Sequence, residues 1–133
     1  MTKKSKKILT EISAGELLDK ISILEIKLEK INNIDAKKQI KKEHEVLKQT
    51  LDSSIEFNGK IKDLFNSLKN TNLKLWNIED QIRICEKKKD FGENFINLAR
   101  SVYLNNDKRS KIKSEINKLL GSNIKEIKQY ADY

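Results

Sequence analysis

Ser13-Ala14-Gly15-Glu16-Leu17-Leu18-Asp19-Lys20-Ile21-Ser22-Ile23-Leu24-Glu25-Ile26-Lys27-Leu28 is the stretch on which the fold is decided. Ser13 is a good helix N-cap, Glu16 stands at the capping-box position three residues on, and Ile12 can staple onto Leu17. Leu17, Ile21, Leu24, Leu28 and Ile31 then recur at alternating steps of about four and three, the rhythm of a coiled-coil seam, which Ile23 and Ile26 widen. Asn32-Asn33 breaks the pattern.

The same reading extends downstream. A second helix is predicted from near Asp35, with Ile40, His44, Leu47 and Leu51 on one face, ending at Asp52-Ser53-Ser54; Asn58-Gly59 offers another break. A long third helix carries Ile61, Leu64, Leu68, Leu75, Ile78, Ile82 and Cys85 on one side and ends at Lys87-Lys88-Lys89, where cations complement the helix dipole. Asp90 is read as the next N-cap, with Glu93 in the capping box. Phe91, Phe95, Leu98, Val102, Asn105, Arg109, Ile112, Ile116 and Leu119 follow in one rhythm, read as one helix of about 30 residues in preference to two joined in register at Asn105-Asn106-Asp107, with Gly121 as the C-cap. The expectation is an all-α antiparallel helical bundle of three to four long coiled-coil-like helices. Residues 1–12 form a lysine-rich leader, residues 13–121 a single bundle domain, and residues 122–133 a short tail ending in two tyrosines. Long seams of modest apolar content leave part of the stripe uncovered, so a homodimer is expected.

Composition narrows the functional classes. The chain has 133 residues, no proline, one cysteine and one histidine. One cysteine excludes an intramolecular disulfide, and one Cys with one His cannot furnish a three- or four-ligand zinc site from those residue types. No apolar run approaches the roughly 20 residues of a membrane helix, and residues 1–7 lack a signal peptide's apolar stretch; a cytoplasmic location is the default. No phosphate-binding glycine loop occurs, and neither a cofactor nor a metal is called for. The 28 basic against 20 acidic residues give a net charge of +8, which attracts polyanions. Yet the lysines are spread along the chain and interleaved with carboxylates, as on a solvated helix face, so nucleic acid is disfavoured as a partner.

Polarity intrudes on the apolar rhythm in one region. Asn105 and Arg109 occupy seam positions of the last helix, and Asn72, Trp76, Glu79, Arg83 and Glu86 form a second stripe on the third. Counting from the turn at Asp90 puts Glu79 level with Arg100, Trp76 with Tyr103 and Asn72 with Asp107, within about one helical turn. This gathers Glu79, Asp80, Arg83, Arg100, Tyr103, Asn106, Asp107 and Arg109 around Trp76, and with them all three arginines of a lysine-biased chain. The guanidinium fork matches carboxylate or phosphate in a way that lysine does not. Glu16 and Asp19 share a helix face and have the spacing to hold a cation. A structural network competes with this reading: Glu79 and Arg83 are an ordinary i,i+4 pair, and buried Asn and Arg fix register in coiled coils. His44 and Cys85 read as packed side chains.

As a set, the motifs resemble a known family. Residues 12–27, Leu75-Trp76-Asn77-Ile78-Glu79-Asp80-Gln81-Ile82-Arg83, Phe95-Ile96-Asn97-Leu98-Ala99-Arg100-Ser101-Val102-Tyr103, Asn106-Asp107-Lys108-Arg109 and Leu120-Gly121-Ser122 are similar to the bacterial domain-of-unknown-function family six-one-six-five. The resemblance implies no activity. It does imply signature polar positions at Gly15, Glu16, Asp19, Lys20, Glu25, Glu79, Asp80, Arg83, Asn106, Asp107 and Arg109, which largely coincide with the cluster drawn from spacing.

The leading expectation is a non-catalytic binding or assembly module whose ligand-binding residues are Glu16, Asp19, Lys20, Trp76, Glu79, Asp80, Arg83, Arg100, Tyr103, Asn106, Asp107 and Arg109, engaging a protein partner or an anionic small ligand. The alternative is a small all-α enzyme acting on a phosphorylated or nucleotide-sugar-type substrate, with Glu16, Asp19, Glu79 or Asp107 as acid/base groups or metal ligands. Lysine-mediated nucleic-acid binding comes third.

Overall fold

A computed structural model describes residues 6–133; the start of the lysine-rich leader, residues 1–5, lies outside the described residues. Among the described residues there are four helices and no strand: α1 Ala14–Lys30, α2 Ile34–Ser54, α3 Gly59–Lys88 and α4 Glu93–Leu120. The all-α bundle expected from periodicity is the fold observed, and the last long helix is continuous through Asn105-Asn106-Asp107.

α1 is the hub. It lies beside each of the other three helices, α3 and α4 form an antiparallel hairpin, and α2 lies beside α1 alone. This position explains why α1 is buried well beyond its seam. Leu17, Ile21 and Leu24 are buried as the heptad spacing requires, but so are Leu18, Asp19, Ser22 and Ile26 on its remaining faces. Leu51 of α2, Ile61, Leu64, Phe65 and Leu68 of α3, and Ile112 and Ile116 of α4 complete the core. Two groups of ion pairs flank it, and in one of them Lys69 of α3 reaches Glu25 at 3.3 Å and Glu29 at 3.1 Å. His44 is half-buried and 3.5 Å from Glu25, and Cys85 is buried, the packed roles expected of both.

Helix ends are fixed by local chemistry. Ser13 caps α1, its Oγ accepting from Glu16 N at 3.1 Å. The capping box does not close on itself, because the Glu16 carboxylate is drawn away to Lys113 at 2.8 Å. α3 ends with Lys89 in the left-handed region (φ 56°), where Lys89 N donates to Glu86 O and Asp90 N to Cys85 O, a Schellman motif. That turn moves the start of α4. Gly92, rather than Asp90, is its N-cap, and Asp90 Oδ1 instead accepts from Gly92 N at 3.2 Å. Phe91 therefore precedes the helix and is exposed, as is Leu119 at the far end, where Leu120 packs on the core instead.

α4 ends in a second Schellman motif at Gly121 (φ 63°), in which Gly121 N donates to Lys118 O and Ser122 N to Asn117 O. This motif feeds the start of α1. Ser122 Oγ accepts from Ala14 N at 2.9 Å and Asn117 Oδ1 from Gly15 N at 2.7 Å, so together with Ser13 they satisfy the first three amides of α1. Contact is this close only because residue 15 is glycine. A Cβ there would stand 2.6 Å from Lys113 O and 2.9 Å from Asn117 Oδ1. Gly15→Ala is expected to lower the unfolding free energy by about 1–3 kcal/mol through overpacking against backbone that cannot yield. In the same urea titration Gly92→Ser leaves stability unchanged or raises it, since a Cβ at that N-cap meets nothing nearer than 3.4 Å.

Candidate functional site

Asp19 projects from α1 into the groove between α3 and α4 and is 1% exposed. Its Oδ1 accepts from Asn72 Nδ2 at 2.8 Å and from Arg109 Nε at 3.0 Å, while Oδ2 takes Arg109 Nη2 and lies 3.7 Å from Lys113 Nζ. Asn72 also donates to Ser22 Oγ at 2.8 Å, and that hydroxyl donates to Asp19 O at 2.8 Å. One carboxylate thus joins three helices through side-on bidentate arginine pairing. Burial by itself would raise the Asp19 carboxyl. The hydrogen bonds from Arg109 and Asn72 and the charges of Arg109 and Lys113 outweigh it, and leave the group below the ordinary carboxylate range.

Lys113, one turn beyond Arg109, is 7% exposed and is held by Glu16 at 2.8 Å and Glu126 at 3.1 Å. Desolvation would lower its ammonium, but the hydrogen bond it donates to Glu16, the Asp19 charge and the hydrogen bond it donates to Glu126 raise it. The Asp19 hydrogen bonds do the same for Arg109. Every buried side-chain nitrogen and oxygen among the described residues has a hydrogen-bond partner.

Arg109 spends Nε and Nη2 on Asp19 and also lines a cleft of about 460 Å³. Ile23, Ile26, Leu75 and Trp76 supply the apolar wall of that cleft, and Asn72, Glu79, Asp80, Arg83, Asn106 and Arg109 the polar one. Arg83 is clamped on Glu79, to its carboxylate and, at 3.0 Å, to its carbonyl. Two guanidinium groups and two carboxylates therefore balance around a tryptophan.

Seven of the expected residues meet here or beneath it: Asp19, Trp76, Glu79, Asp80, Arg83, Asn106 and Arg109. Glu16 joins the ion-pair network through Lys113, one helical turn away. The others are placed elsewhere. Lys20 is exposed and 3.7 Å from Glu16. Arg100 and Tyr103 are exposed on the outer side of α4. The level counted from the turn is right, as Cys85 and Asn94 in contact across the hairpin attest (3.7 Å), but level does not specify face. Arg100 and Arg109 are nine residues apart, about two and a half turns, and so point in opposite directions. The grouping of all three arginines around Trp76 is corrected accordingly. Asp107 likewise faces away from the cleft and accepts from the Tyr133 hydroxyl.

Sequence reasoning missed Lys113 and Asn117. The signal that could have found them is the stripe Asn106, Arg109, Lys113, Asn117 at helical spacing beside the Ile112/Ile116 seam.

A pH dependence follows. The folded Asp19 carboxyl titrates below its unfolded counterpart at about pH 3.9, so the unfolded state takes up the proton first on acidification. The contribution of Asp19 is complete at neutral pH and is lost as the pH falls through the folded value. Urea midpoints are expected to hold between about pH 7 and 5 and to drop below about pH 4, with a shallower drop in Asp19→Asn. An equal acid loss in that variant would remove Asp19 as the cause.

The chain was compared with known proteins. No curated protein and no solved structure matches it. A family model described as "Family of unknown function (DUF6165)" matches residues 8–132, nearly the whole chain. The protein belongs to the DUF6165 family, whose function is unknown.

Proposed function

We propose that this protein is a non-catalytic helical binding and assembly module, which receives a protein partner or an anionic small ligand at the Trp76 cleft. The observation that carries the reading is Arg109. Its guanidinium is held by a buried carboxylate and lines a cleft with an apolar wall and a charged rim. Such a mixture suits an anchoring side chain of a partner, whose apolar body meets Ile23, Ile26 and Trp76 while polar groups meet the rim.

The enzymatic alternative is weakened by where the carboxylates are engaged. Asp19 is bound to Arg109, Glu16 to Lys113, Glu79 to Arg83 and Asp107 to Tyr133. Nucleic acid is the least supported partner, because the exposed lysines of α2 are followed by Glu43 and Glu45 on the same helix. Self-association belongs to the proposal. α1, about 25 Å long, covers only part of the hairpin built by the roughly 45 Å α3, and Ile96, Tyr103 and Leu104 stay exposed on α4.

Trp76 is the chain's single tryptophan and stands in the cleft, so its emission reports on that site. A thermal-shift screen of phosphosugars, sugar nucleotides and divalent ions, read together with Trp76 emission, tests the small-ligand form. A cleft ligand raises Tm and shifts the emission, and Arg83→Ala diminishes both; no stabilisation by any compound contradicts it. Sedimentation equilibrium tests the assembly. A mass of twice 15.5 kDa is expected, falling to one copy in Ile96→Glu, and a monomer at all concentrations refutes self-association.

A further inference from the structure

Beyond Gly121 the chain turns back along α4. Glu126 binds Lys113 at 3.1 Å, Lys128 lies 3.7 Å from Glu126, and the Tyr133 hydroxyl donates to Asp107. The Tyr133 ring meets Tyr103 edge to face, with centroids 5.5 Å apart. Between this tail and α4 lies a second cavity of about 650 Å³, on the other side of Asn106 and Arg109 from the Trp76 cleft. All three tyrosines of the chain, Tyr103, Tyr130 and Tyr133, line it, and so do Arg109, Lys128 and Asp107.

These features share a chemistry. Tyr130 is 73% and Tyr133 82% exposed, and with Tyr103 they cluster aromatic surface around one cavity, the kind of contiguous exposed patch that marks a binding site. Their rings border a cavity of the size that takes a drug-sized molecule. Arg109 has Nη1 left over, since Nε and Nη2 are held by Asp19, and Lys128 supplies an ammonium. Asp107 uses Oδ2 for Tyr133, leaving Oδ1 to accept a hydroxyl. Arg109, bound to Asp19, and Lys128, 3.7 Å from Glu126, stand in the lining against the Asp107 carboxylate, and their remaining N–H groups give an anion its donors.

We propose that the cavity between α4 and the C-terminal tail binds a nucleoside phosphate, with the planar base against the tyrosines, the phosphate between Arg109 and Lys128, and a sugar hydroxyl on Asp107. The site shares Asn106 and Arg109 with the Trp76 cleft but does not rest on the function proposed there. A base on an aromatic platform contributes through its π-face, so the tyrosines confer affinity for a nucleotide without choosing among bases.

Isothermal titration of the full chain with AMP and ADP tests this, with adenosine and ribose 5-phosphate as partial ligands. Saturable binding is expected, weakened about tenfold in Tyr130→Ala, the scale of one lost base–aromatic stack. Lys128→Ala weakens it too and flattens its salt dependence, Trp76→Ala changes it by no more than about twofold, and each partial ligand binds at least about tenfold more weakly than AMP. Both Tyr130 and Lys128 carry side chains outside the core, so circular dichroism melts of the variants should match the parent. No binding at millimolar nucleotide overturns the proposal. Ribose 5-phosphate binding as well as AMP overturns the aromatic role. Loss in Trp76→Ala with Tyr130→Ala unaffected moves the ligand to the other cleft, which refutes this inference while supporting the function proposed for that cleft.

Discussion

The fold depends on one buried carboxylate. Asp19 lies at the crossing of α1 over the α3/α4 hairpin and accepts from Asn72 on α3 and Arg109 on α4. An isolated carboxylate there would be expelled by its desolvation cost; this one remains ionised because three hydrogen bonds and two cations surround it. Such a network contributes less to net stability than to uniqueness, since an apolar replacement of the whole set can be as stable. What it provides is register. α1 cannot slide along the groove without stranding Asp19, Arg109 or Lys113 in an apolar setting.

The same crossing creates both cavities. The N-terminus of α1 is tied to the end of α4 by Asn117 and Ser122, with Gly15 allowing backbone contact, so its position at that end is fixed. Being much shorter than α3, it leaves the groove before the hairpin ends, and Ile23 and Ile26 become the wall of an open cleft instead of the floor of a closed core. On the other side of α4, the tail returns from the Gly121 turn and is held by Glu126 and Tyr133. Arg109 stands between the two cavities, immobilised by Asp19. A guanidinium fixed in this way loses little freedom on meeting a ligand, which is the physical value of the buried pair to binding.

The architecture was legible in the sequence because α1, α3 and α4 repeat apolar residues faithfully and are bounded by chemically explicit signals: Ser13, the Asn32-Asn33 break, the lysine run and Gly121. Where periodicity failed, a specific cause can be named. Lys89 enters the left-handed region and shifts the start of α4 from Asp90 to Gly92. Arg100 and Tyr103 were placed by level along the hairpin, but level leaves the facing direction open. Lys113 escaped notice because a lysine in a lysine-rich helix reads as solvated, and only contact with Glu16 and Glu126 from distant parts of the chain makes it a buried residue. The tail carries no periodicity, so the contact of Tyr133 with Tyr103 was not accessible to pattern reading.

The account turns on whether Asp19 and Arg109 act as one unit. A double-mutant cycle with Asp19→Leu, Arg109→Leu and the pair, each unfolded in urea at neutral pH, measures this directly. Each single change strands a charge and is expected to cost about 3–5 kcal/mol, while the double variant costs much less than the sum, a coupling of about 2 kcal/mol or more. Additivity within about 0.5 kcal/mol would show that the two side chains are independent, and would contradict the claim that a buried ion pair sets α1 on the hairpin.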